Sequence, residues 1–121
     1  MLLSIFSFTN FLGCAQQGND STMTVLELKK IMQEDTTLVI LDVRTASELQ
    51  SNLGKIDKVI NIPVQELENR IQELEKYKNR PIAVICRSGN RSNTATKVLR
   101  QSGFKAKNVL GGMLEYRRHG E

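Results

Sequence analysis

Ile82-Ala83-Val84-Ile85-Cys86-Arg87-Ser88-Gly89-Asn90-Arg91-Ser92 is the stretch on which the fold reading turns. Its first four residues are an apolar, β-rich run, and a helical pattern follows it. A thiol therefore sits where a buried strand ends and a helix begins. In an open α/β sheet, ligands bind outside the carboxyl ends of strands. Ser88, Gly89, Asn90 and Ser92 are small, so the loop backbone can turn its N–H groups inward without steric cost. Those groups and the following helix N-terminus favour an anion at the loop centre. The same field favours thiolate over thiol and makes Cys86 a candidate nucleophile. Arg87 and Arg91 add positive charge. A buried core cysteine is the plainer reading, but a core cysteine has no need of flanking arginines and a glycine.

Outward from this loop, strands and helices alternate. Thr24-Val25-Leu26-Glu27 has the pattern of a capping box. Val25, Leu28, Ile31 and Met32 share one face of the helix it opens. Thr37-Leu38-Val39-Ile40-Leu41 is apolar without alternation, as in a strand buried on both faces of a parallel sheet. Asp42-Val43-Arg44 ends it, and Thr45-Ala46-Ser47-Glu48 is a second capping box opening a short helix. Lys58 to Ile62 reads as a strand stopped by Pro63. Leu67, Ile71, Leu74 and Tyr77 recur at helical spacing, with Glu66, Glu68, Arg70, Glu73, Glu75, Lys76 and Lys78 as a solvated face. Thr94 to Ser102 reads as a helix closed by Gly103. Lys107 to Leu110 is a short strand, and Gly111-Gly112 turns into a last helix from Met113 to Arg118. The alternation predicts an α/β fold: an open parallel sheet of about five strands with helices on both faces.

The chain has 121 residues, enough for one domain with a single core. It is 40% hydrophobic and 25% charged, ordinary values for a soluble globular protein. With no Trp and 5% aromatics, its core must be mostly Leu, Ile and Val. The net charge is +4, yet no basic run exceeds two residues and no aromatics interleave with the bases. This argues against nucleic acid and for a small anionic substrate. The two cysteines, Cys14 and Cys86, form neither a zinc spacing nor a disulfide framework. A bridge between them is arithmetically allowed, but they sit in different kinds of segment. Met23, Met32 and Met113 read as packing residues, and His119 as a tail residue. No metal and no cofactor is called for.

Residues 1–12 are apolar and carry no charge. The run is too short to span a bilayer but fits the core of a secretory signal. Gly13-Cys14-Ala15 after it resembles the bacterial lipoprotein cleavage box, with Phe11 where that box usually has Leu and no basic residue ahead of the run. On this reading 1–13 is a signal peptide, Cys14 is lipidated, and 14–22 is a polar tether. The domain, 23–121, then lies in the bacterial cell envelope, periplasmic and membrane-anchored. Cleavage after Ala15, or a buried N-terminal helix of a cytosolic protein, are the alternatives.

Four blocks together resemble the rhodanese (thiosulfate sulfurtransferase-like) family. In order they are Leu41-Asp42-Val43-Arg44 with Glu48, Val59-Ile60-Asn61-Ile62-Pro63, the Cys86 to Ser92 loop, and Val109-Leu110-Gly111-Gly112-Met113. The resemblance covers about the last hundred residues and looks most like small exported single-domain members. It departs from the family at Gly54-Lys55-Ile56-Asp57-Lys58 and at Tyr116, where a tryptophan is usual. It implies a sulfurtransferase in which Cys86 attacks the outer sulfur of a donor such as thiosulfate and becomes a persulfide. A thiol or cyanide acceptor, or a protein acceptor, then takes the sulfur. Arg87, Ser88, Gly89, Asn90, Arg91 and Ser92 would bind the donor, or Arg91 would help hold the loop. Arg44, paired with Glu48, and Asp42 would support the loop. A persulfide carrier or redox-sensing module serving one partner protein would use the same residues. A cysteine phosphatase would need an arginine six positions after the cysteine. Ser92 stands there and Arg91 comes one position early, so the loop suits a single sulfur atom better than phosphate.

Overall fold

The structure is a computed structural model that describes residues 20–120. The signal reading of 1–13, the lipidation of Cys14 and the tether up to residue 19 lie outside the described residues. Five strands form one wholly parallel sheet in the order β1-β5-β4-β2-β3. They are β1 (Thr22–Met23), β2 (Val39–Asp42), β3 (Ile60–Asn61), β4 (Pro81–Ile85) and β5 (Lys105–Val109). The α-helices are α1 (Val25–Glu34), α2 (Leu67–Arg70), α3 (Asn90–Gln101) and α4 (Gly112–Arg118). Short 3-10 turns cover Ser47–Gln50, Val64–Glu66 and Ile71–Tyr77.

β4 is the central strand, and its side chains alternate between two cores. Ile82, Val84 and Cys86 join Val39, Leu41, Val43, Leu67, Leu74, Ala95 and Leu99 on the α3 face. Ala83 and Ile85 join Ile40, Val25, Leu28, Met113 and Tyr116 on the α1 and α4 face. Being buried on both sides, β2 and β4 read as unbroken apolar runs. Leu99 is fully buried, and its truncation to alanine would cost about 2–5 kcal/mol.

The chain leaves β2 toward β3 at one edge and leaves β4 toward β5 on the other side. The direction of winding reverses between β2 and β4, which pair from Val39↔Ile82 to Asp42↔Ile85. A crevice opens at the carboxyl ends of such neighbours. The Asp42-Val43-Arg44 segment and Cys86 leave the sheet there, side by side.

Several boundaries differ from the sequence expectation. β2 starts at Val39 because the Asp35 carboxylate accepts the Thr37 N–H at 2.8 Å and its hydroxyl at 2.5 Å, folding residues 35–37 into a turn. The expected strand from Lys58 shrinks to Ile60–Asn61, since Lys58 has φ +66°, outside the β region. The segment from Leu67 to Tyr77 is one α turn followed by 3-10 helix, the break falling at Arg70, φ −121°. The polar tether is also too long as drawn. Thr22 is in β1, and the Ser21 carbonyl accepts the Asn108 N–H at 2.8 Å. A two-residue strand is too short to leave a periodic signal.

Candidate active site

α3 begins at Asn90, four residues earlier than expected from Thr94, so its first turn is the second half of the cysteine loop. Gly89 precedes it at φ +108°, a left-handed conformation that lets the chain turn straight from loop to helix. The residue Cys86 is 1% exposed, so the thiol lies on the floor of the loop and not at its rim. The Gly89 N–H points at Sγ from 3.1 Å and the Ser92 N–H from 3.4 Å, with the Ser92 hydroxyl at 3.3 Å. Burial pushes the Cys86 thiol up. The Ser92 hydroxyl and the backbone N–H groups of Ser92, Gly89 and Ser88 outweigh burial and hold it below its ordinary value. The twelve-residue helix α3, with its N-terminus at the loop, acts in the same direction.

The loop keeps this shape because α4 grips it from behind. The Met113 N–H donates to the Cys86 carbonyl at 2.8 Å, and the Leu114 N–H donates to the Arg87 carbonyl at 3.0 Å. With those carbonyls held toward α4, the later amides of the loop are left to face the sulfur. The approach requires glycine. A Cβ on Gly112, φ +57°, would lie 2.5 Å from the Cys86 carbonyl oxygen and 2.6 Å from the Arg87 carbonyl carbon. Gly111-Gly112, which reads in sequence as a turn within a block of the family resemblance, is therefore part of the site's scaffold.

The arginines divide their work differently from the sequence expectation. Arg44 does not pair with the Glu48 carboxylate. It is 1% exposed and binds Asp42 through two parallel contacts, Nε to Oδ1 at 2.9 Å and Nη2 to Oδ2 at 2.7 Å. Nη2 also donates to the Gly54 carbonyl at 2.8 Å, and Nη1 reaches only the backbone carbonyl of Glu48, at 3.4 Å. An adjacent strand end, with only Val43 between the two residues, makes the bidentate pair local. Glu48 instead grips Arg91, Oε1 to Nη1 at 2.7 Å and Oε2 to Nη2 at 2.9 Å. Arg91 holds the Glu48 carboxyl down to about 2. Both terminal nitrogens of Arg91 are thus committed within the protein, which fits the expectation that Arg91 helps hold the loop rather than the alternative that it grips a donor. Arg87 is exposed and makes no ion pair among the described residues. Ser88 and Asn90 are exposed on the loop rim, whereas Ser92 is fully buried beneath the sulfur, where it cannot meet a donor directly.

Two asparagines complete the site and were not singled out in the sequence. Asn61 donates from Nδ2 to the carbonyls of Asp42 and Arg44, at 2.9 and 2.8 Å, tying β3 to the β2 exit. Asn108, 4% exposed on β5, accepts from the Ser92 hydroxyl at 2.5 Å and donates to the Gly89 carbonyl at 3.2 Å. Neither carries a recognisable spacing relative to Cys86, because the sheet brings them there. A cleft of about 400 Å³ beside the loop is lined by Arg44, Glu48, Ser51, Asn52, Leu53 and Arg87. A larger one, about 560 Å³, opens at the other end of the strands among Asp35, Leu38, Asp57, Lys58, Tyr77 and Arg80. No cysteine lines it, whereas the smaller cleft includes Arg87, the residue next to Cys86.

A sulfur held by loop amides at a helix N-terminus, in this strand order, invites comparison with known proteins. Residues 24–119 match the family model described as a rhodanese-like domain. This chain belongs to the rhodanese-like domain family. It is 35% identical over 89 residues to the putative sulfurtransferase YtwF of Bacillus subtilis, covering 74% of this chain and 82% of that one. It is 36% identical over 102 residues to the putative sulfur carrier protein YrkF of the same organism, covering 81% of this chain and 53% of YrkF. A rhodanese-related protein from Thermoplasma volcanium superposes with a TM-score of 0.74 at 33% identity, over 83% of this chain and 93% of that one. The chain thus spans most of YtwF and about half of YrkF. It corresponds to 23% of the adenylyltransferase and sulfurtransferase MOCS3 of Arabidopsis thaliana, to which it is 33% identical over 109 residues and 78% of its own length. Its rhodanese-like relatives are thus named as sulfurtransferases and as a sulfur carrier.

Proposed function

We propose that this rhodanese-like domain is an enzyme that moves a sulfane sulfur from a small anionic donor to a thiol or cyanide through a persulfide on Cys86. One observation carries the reading: the buried Cys86 sulfur meets the Gly89 and Ser92 N–H groups at the head of α3. That arrangement stabilises an anionic sulfur both before and after transfer. The Cys86 thiolate attacks the outer sulfur of thiosulfate. A new S–S bond forms at Sγ, the donor's own S–S bond breaks, and sulfite leaves with the electron pair. The added sulfur extends the side chain from the floor of the loop toward its mouth, where an acceptor can attack it. An acceptor thiolate or cyanide then attacks that outer sulfur, and the Sγ–S bond breaks to return the Cys86 thiolate. Arg87, exposed beside the cleft, is the cation that receives the donor's oxyanion. Ser88, Gly89 and Asn90 frame the entrance, while Arg91, Glu48, Asp42 and Arg44 hold the loop in place.

Intact-mass measurement after incubation with thiosulfate, a polysulfide or a persulfidated thiol tests this directly. The protein gains one sulfur atom, the gain is lost on adding cyanide or a thiol, and Cys86→Ser gains nothing. A protein that takes no sulfur from any of these donors ends the reading. A second reading, a carrier that delivers its persulfide to one protein partner, is supported by the likeness to YrkF. It is favoured if the persulfide forms but turns over slowly with small acceptors. We further propose that Cys14 is a lipid anchor which places the domain at the membrane of the bacterial envelope. Palmitate labelling in an exporting bacterium, lost in Cys14→Ser, is the expected outcome. An unlabelled protein that keeps Met1 contradicts it.

A further inference from the structure

Ser92 and Asn108 are polar, buried, and in contact with each other under the sulfur. Their proton arrangement follows from what each neighbour can do. The Gly89 carbonyl can only accept, so the Asn108 NH2 faces it, at 3.2 Å. The Asn108 Oδ1 therefore faces Ser92, and since Oδ1 also only accepts, the Ser92 hydroxyl donates to it at 2.5 Å. A serine hydroxyl has one proton. While Cys86 is a thiol, its S–H donates to Ser92 Oγ, 3.3 Å away, and the chain from sulfur to Asn108 is complete. When the thiol ionises, its proton leaves to water and the sulfur becomes an acceptor. It then competes for a hydroxyl proton that Asn108 already holds.

We propose that Asn108 is a positioning residue that competes with the Cys86 sulfur for the single Ser92 hydroxyl proton, and so sets how firmly the loop holds an anionic sulfur. If the hydroxyl turns to the sulfur, Asn108 Oδ1 is left buried without a donor, which is costly. If it stays, the sulfur keeps only its backbone donors. The other groups that bear on the sulfur's charge are Arg91 from α3, Glu48 on Arg91, the Asp42–Arg44 pair at the end of β2, and Arg87 next in the chain. β5 contributes the neutral Asn108 and α4 contributes backbone amides to the loop. The competition bears on the sulfur transfer proposed above because thiol nucleophilicity falls as its pKa falls, and an attacking thiol works best near ambient pH. A loop with every donor turned on the sulfur would make a stable thiolate and a poor nucleophile.

The test is the rate of iodoacetamide alkylation of Cys86 against pH, which reads thiolate whether or not the protein ever accepts sulfur. Asn108→Leu removes the competing acceptor and should lower the alkylation midpoint by about one pH unit. Ser92→Ala should raise it. In the double variant the midpoint should equal that of Ser92→Ala, because no hydroxyl is left to compete for. An unchanged or raised midpoint in Asn108→Leu overturns the proposal, and so does a downward shift that persists without Ser92. A merely structural Asn108 would lower stability without this dependence on Ser92. Should Asn108→Leu not fold, the unmodified protein decides: the carbonyl carbon resonance of the Asn108 side chain must titrate with the alkylation midpoint. A resonance that stays flat through that range overturns the proposal. Failure to gain sulfur from donors would count against sulfur transfer and leave these titrations unaffected.

Discussion

Arg44, Arg87 and Arg91 look interchangeable in sequence and are three different devices in the fold. Arg44 lies buried on Asp42, and truncating one partner of a buried ion pair leaves the other charge uncompensated. Arg44→Met should therefore cost about 3–5 kcal/mol of stability in denaturant unfolding. Arg91, held by Glu48, is a strut, and Arg91→Ala should loosen the loop and lower the melting temperature. Arg87 is exposed without an ionic partner among the described residues. Arg87→Ala should stay within about 0.5 kcal/mol of the parent stability while raising the KM for thiosulfate several-fold. Equal thiosulfate kinetics in Arg87→Ala would remove that residue from donor binding. The sequence picks out all three arginines because charge beside a nucleophile is visible in one dimension. Which carboxylate each one meets depends on Glu48 swinging across from another segment, and the chain does not reveal that distance.

At the scale of elements, the cysteine loop is a joint among β4, α3, β5 and α4. The strand β4, the loop and α3 were legible because an apolar run, a thiol, a glycine and a helical pattern follow one another directly. The grip of α4 was not legible, since neither the turn reading nor the family block at Gly111-Gly112 ties the pair to Cys86. The fold makes that pair specific. Gly112→Ala forces a Cβ onto the Cys86 carbonyl at a backbone angle that favours glycine. The variant should lose most sulfur transfer, and the alkylation midpoint of Cys86 should rise toward the free-thiol value of about 8.5. A Gly112→Ala protein with the parent midpoint would mean that α4 does not shape the loop. Short elements were the least visible ones. β1 is two residues long, below any periodic signal, and β3, read from Lys58, starts only at Ile60 because Lys58 has positive φ.

Across the whole molecule, the sheet order places the ends of β2 and β4 together, and Glu48–Arg91 bridges the loops that leave them. That bridge makes stability depend on pH in a definite direction. Glu48 sits at about 2 in the folded protein, against 4.5 as its ordinary value. A carboxyl depressed on folding contributes fully above its unfolded value and loses that contribution as pH falls through the folded one. Unfolding free energy should drop between about pH 4.5 and pH 2, and Glu48→Gln should flatten this part of the curve. Glu115, lowered to about 2 by Arg118 and His119 on the protein surface, titrates in the same window, so the flattening is partial. The parallel α/β architecture itself was readable, because doubly buried strands and amphipathic helices alternate along the chain.

The contact between α4 and the cysteine loop also orders events during synthesis. Cys86 is translated well before Met113 and Leu114, whose amides fix the peptide planes around it. A nascent chain halted between these points carries the thiol but none of the outward restraint on its carbonyls. The loop thus reaches its final shape only after α4 has left the ribosome and docked. A chain cut short before Gly112 keeps the Cys86 thiol but lacks the two amides that hold the Cys86 and Arg87 carbonyls.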